Sequence, residues 1–230
     1  MLTQIAEDIW TVSGPEITAA LGFHYPTRMA VIRLRDGSLF IWSPVALSDD
    51  LAKSVDRLGP VQHILAPNSL HHMSIPDWAS VYPEATLYAA PKLAAKRPDI
   101  RFDQEIGTGT PPTWADEIAF VIVEGNAITT EVVLFHRKSG TVLVTDLIQQ
   151  MPQGWYSGWR AIVAKLDLMV ASEPTVPRKF RMAFKNKPAA RKAVAEILEW
   201  PAEAVLMAHA PPVRSDARAF LKRAFDWLMP

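Results

Sequence analysis

The sequence predicts a single α/β domain in which two β-sheets pack together and carry helices on their outer faces. Three observations predict this class. Strand-like runs fall into two groups, and helix-like segments follow each group. A chain of 230 residues is long enough to bury one large core. No low-complexity linker or fixed repeat divides it. We therefore expect residues 1–230 to form one four-layered αββα sandwich.

The first group of elements is defined by β-rich runs and by turn signals between them. Asp36-Gly37 separates two apolar runs and is a strong hairpin signal. Ser48 is typical of a helix N-cap, and Gly59-Pro60 ends the helical pattern that follows it. We predict strands at 9–12, 29–34, 38–43, 61–66 and 86–90, and helices at 47–58 and 91–97.

The second group has the same order of strands before helices. Ser139-Gly140 marks a turn between two apolar runs, and Pro188 suits the first position of a helix. Ser215-Asp216 is expected to cap the last helix. We predict strands at 118–123, 131–136, 141–145 and 204–208, and helices at 157–170, 178–185, 188–199 and after 216.

Composition limits the kinds of partner and site. Lys plus Arg and Asp plus Glu both number 24, so no net charge draws the chain to nucleic acid or to a membrane, and a small-molecule partner is favoured. The absence of cysteine excludes disulfides and thiolate metal sites, so His, Asp or Glu must hold any metal. The N-terminus has no secretory pattern and no run is long enough to cross a membrane, which predicts a cytoplasmic location.

Candidate ligands stand at the ends of three predicted strands. His71 and His72 lie in the loop after strand 61–66, Asp146 follows strand 141–145, and His209 follows strand 204–208. Layered α/β folds tend to place their sites at strand ends, and a loop lets two adjacent rings converge on one point. Each residue alone is equally typical of a hydrogen-bonded core histidine or a helix cap. Their joint placement is what predicts a site.

Several strings of the sequence together resemble a known family. They are Phe23-His24-Tyr25-Pro26-Thr27-Arg28, Asp36-Gly37-Ser38-Leu39, Ser43-Pro44, Ala66-Pro67-Asn68 with His71-His72 and Trp78, and Thr145-Asp146-Leu147. With these strings the chain is similar to the DUF4336 family from about residue 5 to residue 212. That family in turn resembles the metallo-β-lactamase superfamily, which implies a metallo-β-lactamase-like sandwich and a hydrolase-like site.

The resemblance also implies which metal ligands are kept and which are lost. Its first motif, His-x-His-x-Asp-His, places Pro67 and Ser69 at the first two His, His71 at the Asp and His72 at the final His. A further His position matches Asn126. The bridging Asp matches Asp146, and the last His matches His209. One metal position is therefore degenerate, and the other implies a single Zn, Fe or Mn held by His71, His72, Asp146 and His209, with Asp146 and His72 in the catalytic roles.

Five further residues are candidates to line the cleft, and two functions stay open. Arg28 is either an anion clamp or a structural arginine, and Trp155 belongs either to an aromatic lid or to a buried helix face. The set is Asn68, Asn126, Arg28, Tyr25 and Trp155. The first function is a metal-dependent hydrolase acting on an ester, thioester, lactone or phosphoester. The second is a metal-free, non-enzymatic protein that binds a small ligand in the same cleft. The sequence leaves homo-oligomerisation open.

Overall fold

The computed structural model describes residues 1–229, which form two β-sheets of seven and four strands. The larger sheet contains the first seven strands in chain order, and the smaller contains the last four in reverse chain order. The strands are β1 Thr3–Ala6, β2 Ile9–Thr18, β3 His24–Arg33, β4 Leu39–Trp42, β5 Val61–Ala66, β6 Thr86–Ala89, β7 Gln104–Glu105, β8 Ile118–Val123, β9 Glu131–His136, β10 Thr141–Gln149 and β11 Ala204–His209.

Seven α-helices cover the outer faces of these sheets in the described part of the chain. No helix there is long and apolar enough to cross a membrane. The Ser48 hydroxyl caps the first helix by accepting from Leu51 N, and the Asn186 side chain caps the sixth by accepting from Ala189 N. The helices are α1 Asp49–Asp56, α2 Ile75–Val81, α3 Leu93–Lys96, α4 Gly158–Leu166, α5 Arg178–Ala183, α6 Lys187–Glu199 and α7 Ala217–Phe225.

The predicted αββα sandwich is confirmed, and the alternation of side chains along each strand explains its layers. In β4, Phe40 and Trp42 point to the core between the sheets, whereas Leu39 and Ile41 pack under α1 and α2 on the outer face. In β10, Leu143 joins the inner core while its neighbours pack against α5, α6 and α7. β4 and residues 142–144 of β10 are apolar because both faces of these strands are buried.

Three elements were not predicted, and two strands, β2 and β10, run several residues beyond their predicted ends. β1, β7 and α2 have four, two and seven residues, which is too short for a clear period in the sequence. β10 runs on to Gln149 and does not end at 145. Its register with β11 is irregular between Val144 and Gln149, so Asp146 lies inside a distorted strand and not beyond the sheet edge.

The topology brings the loops of the candidate site to one edge. β4, β5 and β6 are parallel, so the turn at Ser43 and the loop 67–72 leave the larger sheet on the same side. β10 and β11 are also parallel, which places Asp146 near the end of β11, where His209 lies. Residues far apart in sequence therefore meet at one end of the sandwich.

Candidate functional site

Three of the four predicted metal ligands form one cluster of side chains. The Nε2 atoms of His71 and His209 lie 3.0 Å apart. His71 Nε2 is 3.2 Å from Asp146 Oδ2, and His209 Nε2 is 3.5 Å from Asp146 Oδ1. The three side chains are buried, and their ligand atoms all lie within 4.8 Å of one another. We call His71, Asp146 and His209 the His–Asp–His group.

Each imidazole is oriented by a hydrogen bond at its other nitrogen. His209 Nδ1 lies 2.7 Å from the carbonyl oxygen of Pro26, which can only accept, so this nitrogen carries a proton and the lone pair of the neutral ring is on Nε2. His71 Nδ1 lies 2.7 Å from the Ser43 hydroxyl, which either donates or accepts. Ser43 has a φ of 53°, a strained backbone for this residue type, and the turn it makes carries the hydroxyl to His71.

Asn68 ties two members of the group together. Its side chain is fully buried. Its Nδ2 donates to Asp146 Oδ2 at 2.7 Å and to Thr145 Oγ1 at 2.8 Å. Its Oδ1 accepts from the backbone N–H of Leu70 and of His71, at 2.7 and 3.0 Å. One side chain therefore fixes both the carboxylate of Asp146 and the loop that carries His71.

The backbone around Asp146 is held by Glu131, a residue the sequence did not single out. Both carboxylate oxygens of this buried residue accept from consecutive N–H groups, those of Thr145, Asp146 and Leu147, at 2.6, 2.9 and 3.0 Å. The distortion of β10 leaves these N–H groups without partners in the sheet, and Glu131 supplies them. The irregular strand is thereby fixed with Asp146 aimed at the histidines.

Protonation of the group suits metal binding. Burial raises the pKa of Asp146, but hydrogen bonds with His71 and His209, and the positive charge of either ring when it is protonated, outweigh burial and hold that pKa well below its usual value. Burial lowers the pKa of His71 against the opposing charge of Asp146. Burial and the charge of Asp146 raise the pKa of Glu131 to about 7. An ionised carboxylate beside a neutral imidazole is the state in which both residues coordinate metals.

His72 lies outside the His–Asp–His group, contrary to the expectation that both adjacent rings converge. Its Nδ1 is 2.6 Å from Nη1 of Arg97, which directly follows α3. Burial and the charges of Lys96 and Arg97 lower the pKa of His72 to about 4. The two rings diverge because Asn68 holds the backbone of His71 while Arg97 holds the next ring.

Three residues predicted to line the cleft serve structural roles. The guanidinium of Arg28 donates to the carbonyl oxygens of Met207 and Ala210, on either side of His209, and burial lowers its pKa. Asn126 Nδ2 donates to Phe180 O at 2.9 Å, and its Oδ1 accepts from Ile128 N at 2.9 Å.

Trp155 is the third of these residues, and it packs over the start of β3. Its Nε1 donates to His24 O at 3.0 Å, and its ring lies 5.3 Å from the His24 ring. It joins a small cluster with Phe23 and Tyr156. Trp155 is therefore packed, as the second alternative expected, but it lies in the turn before α4 and not on a helix face.

A cavity of about 320 Å³ opens beside the group, within the range of small-ligand pockets. His71, Asp146 and His209 line it, and so does Tyr25, as the sequence predicted. The sequence missed Gln149 and Lys179. Gln149 lies three residues after Asp146 in β10, and Lys179 lies in α5 within a basic stretch interpreted as a solvated face. The remaining lining residues are Ile17, Ala19, Leu70, Ile128 and Phe180.

The geometry and donor types of the group fit one divalent metal ion. Two imidazoles and one carboxylate form a donor set found in catalytic zinc sites, which keep a fourth position open. Metal bonds of about 2.0–2.1 Å in a tetrahedron place neighbouring ligand atoms about 3.3 Å apart. The two Nε2 atoms lie 3.0 Å apart, and each lies 3.2 or 3.5 Å from a different oxygen of Asp146, so the separations are close to this value. The hydrogen bond from His209 Nδ1 to the Pro26 carbonyl and the one between His71 Nδ1 and the Ser43 hydroxyl supply the outer support that metal-ligating histidines require.

Solved structures similar to this one have the same sandwich. A metallo-β-lactamase from Hirschia baltica matches with a TM-score of 0.66 and 13% identity, covering 100% of this chain and 98% of that chain. One from Erythrobacter litoralis matches with a TM-score of 0.67 and 14% identity, covering 99% of this chain and 95% of that chain. The metallo-β-lactamase FIM-1 from Pseudomonas aeruginosa, in the mono-zinc form, matches with a TM-score of 0.64 and 12% identity, covering 100% of this chain and 96% of that chain. No curated protein matches the sequence.

The two-sheet sandwich and the His–Asp–His group at its edge define a protein with the metallo-β-lactamase fold and a possible metal site. The model for the domain of unknown function DUF4336 matches residues 6–157, well over half of the sequence. The chain belongs to the DUF4336 family.

Proposed function

We propose that this protein is a metal-dependent hydrolase that uses one divalent metal ion held by His71, Asp146 and His209. The observation that carries the proposal is the convergence of three buried side chains, whose ligand atoms lie within 4.8 Å of one another, beside a cavity of ligand size. His72 is left out of the ligand set because Arg97 engages its ring. Zn, Fe and Mn all suit this donor set.

A divalent metal at this position supplies a Lewis acid for a carbonyl or phosphoryl oxygen and lowers the pKa of water. With His71, Asp146 and His209 as its three protein ligands, such a metal would keep a coordination position for water or substrate, as catalysis requires. The chain's own residues orient this centre: Asn68 and Glu131 fix Asp146, while Ser43 and the Pro26 carbonyl fix the rings. The substrate classes we propose are those whose reacting oxygen such a centre polarises, namely esters, thioesters, lactones and phosphoesters.

A single metal, rather than two, is supported by the residues at the other ligand positions of the superfamily. The carbonyl of Pro67 accepts from Val132 N, the hydroxyl of Ser69 lies 3.1 Å from that of Thr129, and the amide of Asn126 bonds two backbone groups. None of these three residues is a histidine, and each has a structural partner. FIM-1, one of the similar structures, is described as a mono-zinc form.

The test is hydrolysis by protein whose metal content is controlled. Protein stripped with a chelator is compared with samples reloaded with Zn, Mn or Fe(II), using one ester, one thioester, one lactone and one phosphoester. We expect turnover of at least one class by loaded protein, its loss on stripping and its near absence in Asp146→Asn. Turnover that survives both the chelator and Asp146→Asn would refute the proposal, as would no turnover of any class.

A second candidate is a metal-free protein that binds a small ligand in the same cavity. It is favoured by the fact that each oxygen of Asp146 already has an amide donor, Asn68 Nδ2 at 2.7 Å and Gln149 Nε2 at 3.1 Å. Thermal stabilisation by organic ligands but not by divalent metals would favour this candidate. For either candidate we propose a cytoplasmic location and a small-molecule partner, with no role for nucleic acid or membranes, because the charges of the chain balance. Homo-oligomerisation stays open.

A further inference from the structure

Lys179 is a charged group in the cavity that the proposed metal chemistry does not use. Its Nζ lies 3.0 Å from the Tyr25 hydroxyl and 5.1 Å from the centroid of the Tyr25 ring. Nζ also forms an ion pair with Asp167 Oδ2 at 3.6 Å and donates to Met169 Sδ, a weak acceptor, at 3.5 Å. An ammonium group has three donors, and among the described residues only the Tyr25 oxygen meets one of them at a short distance. The end of the cavity at Lys179 therefore offers a donor and a positive charge, partly balanced by Asp167, to an anionic group.

Gln149 offers the complementary feature, an acceptor without a donor. The side chain is fully buried and lines the cavity. Its Nε2 donates to the backbone oxygen and to Oδ1 of Asp146, at 3.0 and 3.1 Å. Both of these partners can only accept, so the orientation of the amide is fixed. Its Oε1 finds no hydrogen-bond partner among the described residues. A buried amide oxygen without a partner is costly, which points to a donor on a ligand.

The mouth of the cavity is apolar although its floor is charged. Ile17, Leu70 and Ile128 line it and remain 38%, 37% and 40% exposed. Large apolar side chains grouped around a polar site are typical of a surface that receives the apolar part of a ligand. Phe180 continues this wall inside the cavity.

The three features lie within reach of one small molecule. The Tyr25 ring, which Lys179 approaches, is 5.8 Å from the His209 ring, and Gln149 bonds directly to Asp146. We propose that the site binds a small acyl compound that carries a carboxylate. Its carboxylate is held by Lys179 and Tyr25, its N–H or O–H donates to Gln149 Oε1, and its alkyl chain lies on the apolar mouth. This inference rests on the cavity being the functional site of the proposed hydrolase, and it deepens that proposal.

Three matched probes test the assignment by calorimetric binding, without any need for turnover. N-hexanoylglycine has the chain, the N–H and the carboxylate; N-hexanoylglycinamide lacks the charge; N-hexanoylsarcosine lacks the N–H. We expect N-hexanoylglycine to bind about 10- to 100-fold more tightly than the glycinamide, the ratio that one charge-assisted hydrogen bond gives. Loss of the N–H should also weaken binding, because Gln149 Oε1 is then buried without a donor.

Variants locate the contact. Lys179→Gln should bring the affinity for N-hexanoylglycine down to that for the glycinamide, whereas Lys165→Gln, which removes an exposed lysine of α4, should leave both affinities unchanged. Equal binding of the acid and the glycinamide by the unmodified protein would overturn the proposal even if Lys179→Gln fails to fold. If N-hexanoylsarcosine binds as tightly as N-hexanoylglycine, the proposed role of Gln149 is overturned.

Each titration is run on both chelator-treated and metal-loaded protein, so that this inference and the proposed function fail separately. Binding that depends on Lys179 in both samples, with no metal-dependent turnover, supports the ligand class and removes the hydrolase. Turnover by metal-loaded protein, with no preference for the compound that carries the carboxylate, supports the hydrolase and removes the ligand class.

Discussion

Asn68→Ala is the substitution whose effect the structure defines most sharply. It removes four hydrogen bonds of a fully buried side chain, one of them to the ionised carboxylate of Asp146. At the low end of usual values, the charge-assisted bond contributes about 1.5 kcal/mol and each neutral bond about 0.5 kcal/mol. We therefore expect the free energy of unfolding to fall by at least about 3 kcal/mol. Because Asp146 and the His71 loop both lose their tether, metal affinity should also fall 10- to 100-fold.

The assays are urea denaturation of chelator-treated protein and metal titration against a chromophoric chelator. Asn126→Ala is the matched control, because Asn126 is also a loop asparagine bonded at both ends of its amide but has no contact with the His–Asp–His group. It should lose about 1 kcal/mol and keep its metal affinity. The reasoning is refuted if Asn68→Ala binds metal as tightly as the unmodified protein or destabilises no more than the control does.

Three further predictions follow from residues around the site and the core. Glu131→Gln should weaken metal binding 10- to 100-fold, because an amide NH₂ must then face a backbone N–H donor behind Asp146; unchanged affinity in the same titration would contradict this. Arg28→Met should lower the free energy of unfolding by about 1–3 kcal/mol, because two buried carbonyls near His209 lose their donor, yet leave binding of N-hexanoylglycine unchanged; weaker binding would instead make Arg28 the anion clamp. Burial lowers the pKa of His63, so its contribution to stability is full above about pH 6.5 and is lost as pH falls below that value. The free energy of unfolding, measured by urea denaturation, should therefore fall less between pH 7.5 and pH 5.5 in His63→Gln than in the unmodified protein. An equal fall in both proteins would contradict the assignment of this pH dependence to His63.

The fold was predictable because its signals are local. Asp36-Gly37 fixed the hairpin between β3 and β4, and continuous apolar runs such as 141–145 marked strands buried on both faces. The extension of β10 to Gln149 was not predictable in this way. It depends on the carboxylate of Glu131, which lies on a neighbouring strand and bonds three N–H groups of the distorted segment. No period in the sequence records that contact.

The candidate site was predictable in part for the same reason. Asp146 and His209 stand at the ends of strong strand signals, so their meeting followed from topology. The sequence could not separate His71 from His72, because the choice depends on Asn68 and Arg97, which hold neighbouring parts of one loop from two sides. One signal for Gln149 was available, a polar residue directly after the apolar pair Leu147-Ile148 that follows Asp146. Lys179 had no signal, because it lies in a basic stretch.

The most direct test of the proposed metal centre is the metal stoichiometry of two neighbouring single variants. Elemental analysis after equilibrium dialysis against Zn should give about one ion per chain for the unmodified protein and for His72→Ala, and essentially none for His71→Ala. Loss of metal from His72→Ala with retention by His71→Ala would contradict the ligand set described by the structure. Absence of metal from the unmodified protein would contradict the proposed centre itself.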